Sequence, residues 1–303
     1  MTYQAVLGEL ALGDERLIVV TAENRAAIRG LPEVLGPRFL DTGITEQTMV
    51  GMAAGLALRG RIPVVHALAA FLTLRACEFI RTDVGIANLP VKLVGYVPGI
   101  LSEANGPTHQ ALEDIALMRG IPGMSVFSPA DLEDLLLGLP AVLQHPGPCY
   151  IRYNDRPSVM RHERFVLGRA EMVSRGEDVG ILSHGALFRE AGMAAACLNA
   201  RGYSVRLVNL RMIKPLDQAE VIATARATRL LVTVEDHFET GGLYSMVCET
   251  LIREQVGVPV LPVAFCERWF RPAMLPDVLR VEQLEGEQIA DRILERLRRS
   301  KAA

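Results

Sequence analysis

Apolar and polar positions in the first half of the chain follow two alternating patterns. Short, almost continuous apolar runs, which are typical of buried parallel strands, alternate with longer stretches of helical periodicity. The predicted strands are Leu17–Thr21, Arg38–Thr42, Ile62–Leu68, Val91–Val97, Met124–Ser128 and Cys149–Tyr153. Helices are predicted at residues 1–15, 45–58, 71–88 and 111–119, with others starting at Thr108 and Pro129. The alternation predicts an α/β fold built on a doubly wound parallel sheet.

The same alternation restarts in the second half of the chain. Its predicted strands are Asp178–Ser183, Ser204–Leu210, Leu230–Glu235 and Val258–Phe265. Its predicted helices are Phe188–Arg201, Gln218–Arg226, Gly242–Glu254 and Gly286–Arg298. Residues 156–169 are polar and show no period, as expected of a linker. We therefore predict two doubly wound α/β domains, at residues 1–155 and 170–303.

The stretch from Asp41 to Gln47 joins a short strand to a helix that is apolar on nearly every side. Such a helix is typically buried, and Thr45 is a residue type that caps helices. Glu46 then lies in the first turn, at the mouth of a buried helix. A buried carboxyl group pairs, takes up a proton or takes part in chemistry. It can equally serve the helix dipole, and these residues alone leave the two interpretations about even.

Further candidates follow other strands of the first sheet, at the edge where open α/β sheets bind ligands. Phe71 comes after the third strand and His109 lies in the long loop after the fourth. Together with Glu46 they would suit a heteroaromatic cofactor with acid–base demands. Arg152 ends a later strand and could hold a carboxylate or a phosphate. Each also has an ordinary interpretation: Phe71 as a core residue, His109 as a helix start, Arg152 as a surface ion pair.

Composition narrows the classes of function. Half of the 303 residues are hydrophobic, enough for a large core and an oligomer interface. The net charge of −3 gives no electrostatic footprint for nucleic acid or an anionic membrane. No signal pattern or apolar run of membrane-spanning length is present, so a cytoplasmic protein is expected.

Several residues that often carry chemistry have ordinary predicted roles here. The five cysteines are scattered, so neither a disulfide framework nor a metal site is expected, and no metal ligands are predicted on this chain. His66 lies within a strand and is predicted to be a core histidine. The loop ending in Gly241 and Gly242 could hold an anion on free backbone donors, but a plain turn is favoured.

Motifs along the chain resemble the transketolase family. They are the 41–47 stretch, the run from Gly106 to Gln110 and the run from Glu113 to Ala116. Residues 213–217 and 232–237, with the later diglycine, resemble the C-terminal domain of that family. The resemblance spans nearly the whole chain and begins at the pyrimidine-binding domain. It indicates the C-terminal subunit of a split transketolase.

The resemblance implies thiamine diphosphate as the cofactor and assigns roles to four residues. Glu46 matches the catalytic glutamate that hydrogen-bonds the aminopyrimidine, and Phe71 matches the ring stacked on it. His109 matches the histidine that contacts the donor's oxygens. Arg152 matches the arginine that binds the sugar phosphate.

The sequence departs from the family pattern at the cofactor and substrate positions. Leu68 and Leu74 stand in the cofactor pocket where many relatives carry aromatic residues. Asn105 replaces the usual aspartate of the substrate site, and residues 96–99 lack the usual histidine. These departures suggest an unusual donor, such as a modified sugar or a simple 2-oxo acid.

The predicted function is transfer of a two-carbon ketol or acyl unit from a ketose or 2-oxo donor to an aldehyde. The diphosphate and magnesium site is expected on an N-terminal partner subunit, with self-association through the C-terminal domain giving a heterotetramer. Three alternatives stay open: a beta-type subunit of a 2-oxo-acid decarboxylase or dehydrogenase component, a deoxyxylulose-phosphate-synthase-like enzyme, and a regulatory or scaffolding subunit. The Gly-Pro-Thr-His-Gln run argues against the first, and Glu46, as a costly buried carboxyl group, against the last.

Overall fold

The computed structural model describes residues 1–266 and 268–302. In chain order the strands are β1 (Leu17–Thr21), β2 (Phe39–Asp41), β3 (Ile62–Leu68), β4 (Lys92–Tyr96), β5 (Ser125–Phe127), β6 (Cys149–Arg152), β7 (Glu171–Ser174), β8 (Val179–Ser183), β9 (Val205–Asn209), β10 (Met212–Lys214), β11 (Leu230–Phe238) and β12 (Val260–Phe265). The helices are α1 (Tyr3–Gly13), α2 (Leu31–Leu35), α3 (Glu46–Leu58), α4 (Cys77–Phe79), α5 (Asp114–Arg119), α6 (Leu132–Gln144), α7 (Phe188–Ala200), α8 (Gln218–Ala227), α9 (Leu243–Arg253), α10 (Leu275–Val281) and α11 (Gly286–Ala302).

The strands form two sheets in which parallel pairing dominates. The first has the order β10-β5-β6-β4-β3-β1-β2, and the second has the order β12-β11-β8-β9-β7. Each sheet carries one antiparallel edge strand, β10 against β5 and β7 against β9. The predicted α/β fold with two doubly wound sheets is confirmed. The unexpected feature is β10, because a strand from the second half of the chain completes the first sheet.

Some predicted element bounds differ from the structure. No helix begins at Thr108: residues 107–109 form a turn that follows Gly106, whose φ of +74° favours glycine. The next helix begins at Asp114. The helix predicted to start at Pro129 begins at Leu132, with Asp131 as its N-cap, whose carboxylate accepts a hydrogen bond from the Asp134 amide. The predicted helix 71–88 contains π-helical turns on both sides of α4.

Hydrophobic clusters cover both faces of the first sheet. One cluster packs α3 and the 71–85 helical segment against the strands, and the other packs α1 and α6 on the opposite face. Ile100 and Leu112, from the long loop after β4, instead lie in the core of the second sheet. This loop is therefore held by the second half of the chain. Within residues 1–266 and 268–302, no helix is both long and apolar enough to cross a membrane.

The segment predicted as a linker is anchored by one buried histidine. His162 Nε2 lies 2.8 Å from Asp131 Oδ2, and its Nδ1 lies 2.8 Å from Glu171 Oε2. Arg211 pairs with the same Glu171 and with Asp134. Asp134, His162 and Glu171 bring potential metal-ligand atoms within 4.8 Å of one another. Because His162 and Arg211 already pair with the three carboxylates of Asp131, Asp134 and Glu171, we interpret the group as an ion network that fixes the linker.

This network predicts a pH-dependent contribution to stability. Burial opposes the charge on His162, but its hydrogen bonds to Asp131 and Glu171 outweigh burial and raise its pKa to about 10. An unfolded histidine has a pKa of about 6.5. The charged form therefore stabilises the fold fully below about pH 6.5, and this stabilisation is lost as the pH rises through about 10. Urea unfolding of the wild type and His162→Gln should show a difference that narrows from pH 6 to pH 10. A constant difference over that range would contradict the role of His162.

Candidate functional site

Glu46 is the first residue of α3 and lies at the carboxyl edge of the first sheet, just after β2. Its exposure is only 2%, as the apolar surface of α3 predicts. Thr45 occupies the N-cap position without capping the helix through its side chain. Its hydroxyl donates instead to the Thr42 carbonyl oxygen, at 3.0 Å. The helix thus brings Glu46 to the sheet edge in a largely dry environment.

The Glu46 carboxylate has a cationic partner that sequence analysis missed. Arg75 Nη1 lies 2.9 Å from Glu46 Oε2, and the Arg75 side chain is 41% exposed. The same guanidinium lies over the Phe71 ring, 4.0 Å from its centroid. The only sequence signal for this contact is the spacing of four residues between Phe71 and Arg75, which places both on one side of a helical segment.

His109 completes the cluster around Glu46. The rings of Phe71 and His109 have centroids 5.0 Å apart. His109 Nδ1 lies 2.9 Å from Thr108 Oγ1, which orients the imidazole in its turn. Glu46, Arg75, Phe71 and His109 therefore form a continuous chain of contacts, here named the Glu46 cluster. The structure brings together the three site residues that the strand-end argument had placed at one edge.

Two of the other predicted site residues line a cavity of about 410 Å³, here named the smaller cavity. Leu68 ends β3 and is partly buried, and Asn105 is exposed with its amide 3.3 Å from Ser102 Oγ. The remaining lining residues are Val97, Leu101, Ser102, Glu103, Ala104 and Met274. Leu74, the third apolar candidate, is 42% exposed beside Arg75.

A larger cavity of about 600 Å³ lies next to the smaller one and shares Val97, Leu101 and Glu103 with it. Its other lining residues are Thr2, Tyr3, Gln4, Ala26, Ala27, Tyr96, Tyr153, Asp155, Arg156 and Leu275. Arg156 is partly buried, and its Nη1 has no hydrogen-bond partner among the described residues. Burial and the nearby charge of Arg189 lower the pKa of Arg156. A guanidinium at a cavity wall whose hydrogen-bonding capacity is not fully used within the chain is suited to an anionic ligand.

Arg152, for which the resemblance implies a contact with the sugar phosphate, is held by carboxylates of this chain in the structure. It is only 1% exposed, with Nε 2.9 Å from Asp114 Oδ2 and Nη1 2.7 Å from Asp236 Oδ1. The Tyr150 hydroxyl also donates to Asp114 Oδ2, at 2.7 Å. The two carboxylates compensate the charge of Arg152 within the chain. In this structure Arg152 joins β6, α5 and β11 across the two halves of the chain.

The backbone donors that follow the diglycine loop bind a carboxyl group of the protein itself. The Glu235 carboxylate accepts hydrogen bonds from the amides of Leu243 and Tyr244, at 2.6 and 2.8 Å. Complete burial raises the pKa of Glu235 to about 8, although these two amides favour its charged form. A Cβ at Gly242 would lie 2.1 Å from Glu235 Oε2, and Gly241 has a φ of +83°. Gly242 therefore leaves room for the Glu235 carboxyl group, and Gly241 adopts a left-handed conformation that favours glycine.

His66 lies in the core, as predicted. His66 is fully buried, with Nε2 2.9 Å from the Tyr3 hydroxyl and Nδ1 3.1 Å from the Val64 carbonyl oxygen. Burial lowers its pKa to about 4, so it stays neutral in the core. All five cysteines are free.

Comparison with known proteins identifies the class to which this fold and site belong. The transketolase pyrimidine-binding domain matches residues 1–157, and the transketolase C-terminal domain matches residues 168–289. The chain belongs to the transketolase family.

Its relatives include separately encoded subunits. The 6-deoxy-6-sulfo-D-fructose transketolase subunit SqwH of Clostridium sp. (strain MSTE9) is 39% identical over 255 residues, covering 82% of this chain and 79% of SqwH. A transketolase C-terminal section of Methanocaldococcus jannaschii is 33% identical, covering 98% and 95% of the two chains. The structure titled "Split gene transketolase, inactive beta4 tetramer" has a TM-score of 0.85 at 32% identity, covering 97% and 95%. The resemblance to the C-terminal subunit of a split transketolase is thereby confirmed.

A longer enzyme also matches. The 1-deoxy-D-xylulose-5-phosphate synthase of Caldanaerobacter subterraneus is 32% identical over 301 residues. This chain spans only 47% of that enzyme, so the match places it alongside about half of the longer protein.

Proposed function

We propose that this chain is the C-terminal subunit of a thiamine diphosphate-dependent enzyme that transfers a two-carbon ketol or acyl unit from a ketose or 2-oxo donor to an aldehyde. The observation that carries the proposal is the Glu46 cluster, which combines a buried carboxylate, an aromatic face and an imidazole at the carboxyl edge of the sheet. Membership of the transketolase family supports it.

The residues of the cluster fit the pyrimidine half of the cofactor. The guanidinium of Arg75 is itself a flat group rich in N–H donors, and it both hydrogen-bonds Glu46 and lies on Phe71. This contact demonstrates that a planar nitrogen group can meet both side chains at once. An aminopyrimidine that met them in the same way would take the place of Arg75, whose side chain is exposed enough to move aside.

Each of the site residues of this chain then has a defined role. Thiamine diphosphate, when bound, supplies a carbon nucleophile and an electron sink. Glu46 holds a proton at a pyrimidine nitrogen, for which a desolvated carboxyl group is suited. Phe71 stacks on the ring, and Leu68 and Leu74 keep water from it. His109 hydrogen-bonds the oxygens of the donor, with its ring oriented by Phe71 and Thr108.

We propose Arg156, in place of Arg152, as the residue that binds the anionic end of the substrate. Arg156 lines the larger cavity and has a buried Nη1 without a hydrogen-bond partner among the described residues, whereas Arg152 is paired with two carboxylates. Asn105 at the smaller cavity replaces a charged residue with a neutral amide, which favours a donor that differs from common ketose phosphates. The name of SqwH refers to a sulfonated sugar, and a sulfonate, like a phosphate, would suit Arg156.

A partner subunit carrying the diphosphate and magnesium site is part of the proposal. It rests on the Glu46 cluster serving only the pyrimidine half of the cofactor and on the separate subunits among the relatives. Self-association through the C-terminal domain is proposed as well, since a related chain is described as a beta4 tetramer.

Calorimetry tests the cofactor and the partner together. The lone chain titrated with thiamine diphosphate and magnesium should show no tight binding, because the anionic half of the cofactor has its site on the partner. The same titration after addition of the N-terminal subunit should show tight, stoichiometric binding. Tight binding by the lone chain would refute the division of the site between two subunits.

Arg156→Met should raise KM for a phosphorylated or sulfonated ketose donor that the wild type accepts by about 10-fold to 100-fold in the assembled enzyme and leave kcat nearly unchanged. A hydrogen bond to a charged group contributes about 1.5–3 kcal/mol to binding. The same substitution at the exposed Arg226 is the control and should change neither constant. Equal KM values for the wild type and Arg156→Met would remove Arg156 from the site.

A further inference from the structure

The segment 268–275, between β12 and α10, reaches from the second sheet to the cavities of the first. Pro272 packs on the loop that carries Asn105 and His109. The contact is close at Gly106, where an added Cβ would lie 2.5 Å from Pro272 Cγ. Met274 lines the smaller cavity and Leu275 lines the larger one. The second half of the chain therefore supplies a wall of both cavities.

This wall is fixed on each side of Met274. Phe270 is buried and stacks on Phe265, with ring centroids 4.8 Å apart and an interplanar angle of 22°. Trp269 packs edge-on against Phe238, with centroids 5.4 Å apart. Leu275 is buried at the start of α10. Met274 itself is 55% exposed, so its flexible side chain faces open space from a fixed backbone.

The smaller cavity has a mixed lining that suits a polyol chain. Leu68, Val97, Leu101 and Met274 offer apolar surface, and the lining also includes the polar side chains of Ser102, Glu103 and Asn105. A sugar carbon chain presents C–H edges as well as hydroxyl groups, and a volume of about 410 Å³ lies within the usual range of ligand sites.

We infer that Met274, a residue of the second half of the chain, determines the length of the sugar chain that the site accepts. The inference rests on the proposed function. Met274 is the member of the lining contributed by the segment 268–275, so a larger side chain at this position would narrow the cavity and a smaller one would widen it. One methylene group in a pocket typically changes discrimination by about 10-fold to 200-fold, and a change of side-chain size at Met274 should act on that scale.

Substrate competition in the assembled enzyme tests the inference. The donors are xylulose 5-phosphate, fructose 6-phosphate and sedoheptulose 7-phosphate, which share an anionic end and differ in chain length. Met274→Trp should shift the ratio of kcat/KM values toward the shortest donor by about 10-fold or more, and Met274→Ala should shift it toward the longest. Val281→Trp, at an exposed position of α10, is the matched control and should leave the ratio unchanged. Ratios equal to wild type in both Met274 variants would overturn the inference.

A second readout does not depend on turnover. In the assembled enzyme, Met274→Cys is alkylated with iodoacetamide, and modification is followed on the peptide that contains position 274. Saturating sedoheptulose 7-phosphate should slow this alkylation several-fold, while the exposed native Cys266 serves as an internal reference. Protection without turnover of any donor would support the role of Met274 and overturn only the proposed reaction. Equal rates with and without the sugar would overturn the role of Met274, whatever the turnover.

Discussion

Glu46→Gln should lower kcat of the proposed two-subunit enzyme by about 10²-fold to 10⁴-fold, the range that a positioned acid–base group contributes. Glutamine keeps the shape of the side chain and can still contact Arg75, but its amide cannot share a proton with a pyrimidine nitrogen. Steady-state turnover with a donor that the wild type accepts provides the measurement. Cofactor binding followed by calorimetry shows whether the site is still assembled.

A matched control separates this effect from a general loss of charge near the site. Glu78, in α4 of the neighbouring helical segment, is exposed, and Glu78→Gln should retain wild-type turnover. If Glu46→Gln also turned over at the wild-type rate, the chain would be better described as a scaffolding subunit that kept the fold.

Arg152→Met lowers the free energy of unfolding of the chain by about 3–5 kcal/mol, because it leaves the carboxylates of Asp114 and Asp236 buried without their cation. Both carboxylates are inaccessible to water, which therefore cannot replace the lost partner. Urea unfolding followed by circular dichroism measures the change.

The exposed pair of Arg280 and Asp277 is the control for Arg152. Arg280→Met should cost at most about 1 kcal/mol, since exposed ion pairs contribute little. A cost that small for Arg152→Met would contradict the role assigned to the buried network, and its availability to substrate would need to be reconsidered.

The sequence predicted the strands well because parallel strands buried on both faces are continuous in apolar residues, as in β1, β4 and β8. It predicted the burial of Glu46 because the following helix is apolar on nearly all sides. Two of the edge strands, β7 and β10, were missed for the opposite reason. β7 and β10 are short and contain polar residues, so no periodicity distinguishes them from loops.

From the sequence, the candidate site could be predicted only for residues that follow the carboxyl end of a strand. A residue at the carboxyl end of a strand can face a ligand or the other half of the chain, and the local sequence of Arg152 does not distinguish the two. Arg75 was missed because an arginine in a helical segment is ordinarily interpreted as a solvent-exposed residue. Met274 was missed because segment 268–275 lies far along the chain from the loop that it covers.

The strand β10 has a consequence for any attempt to separate the two halves of the chain. A fragment that ends at the linker would lack β10, one of the two neighbours of β5. The backbone amides and carbonyls along that side of β5 would then be exposed. A strand left unpaired in this way can pair with strands of other molecules, which promotes aggregation. The natural unit for refolding or transplantation is thus the undivided polypeptide, even though two recognisable modules succeed one another along it.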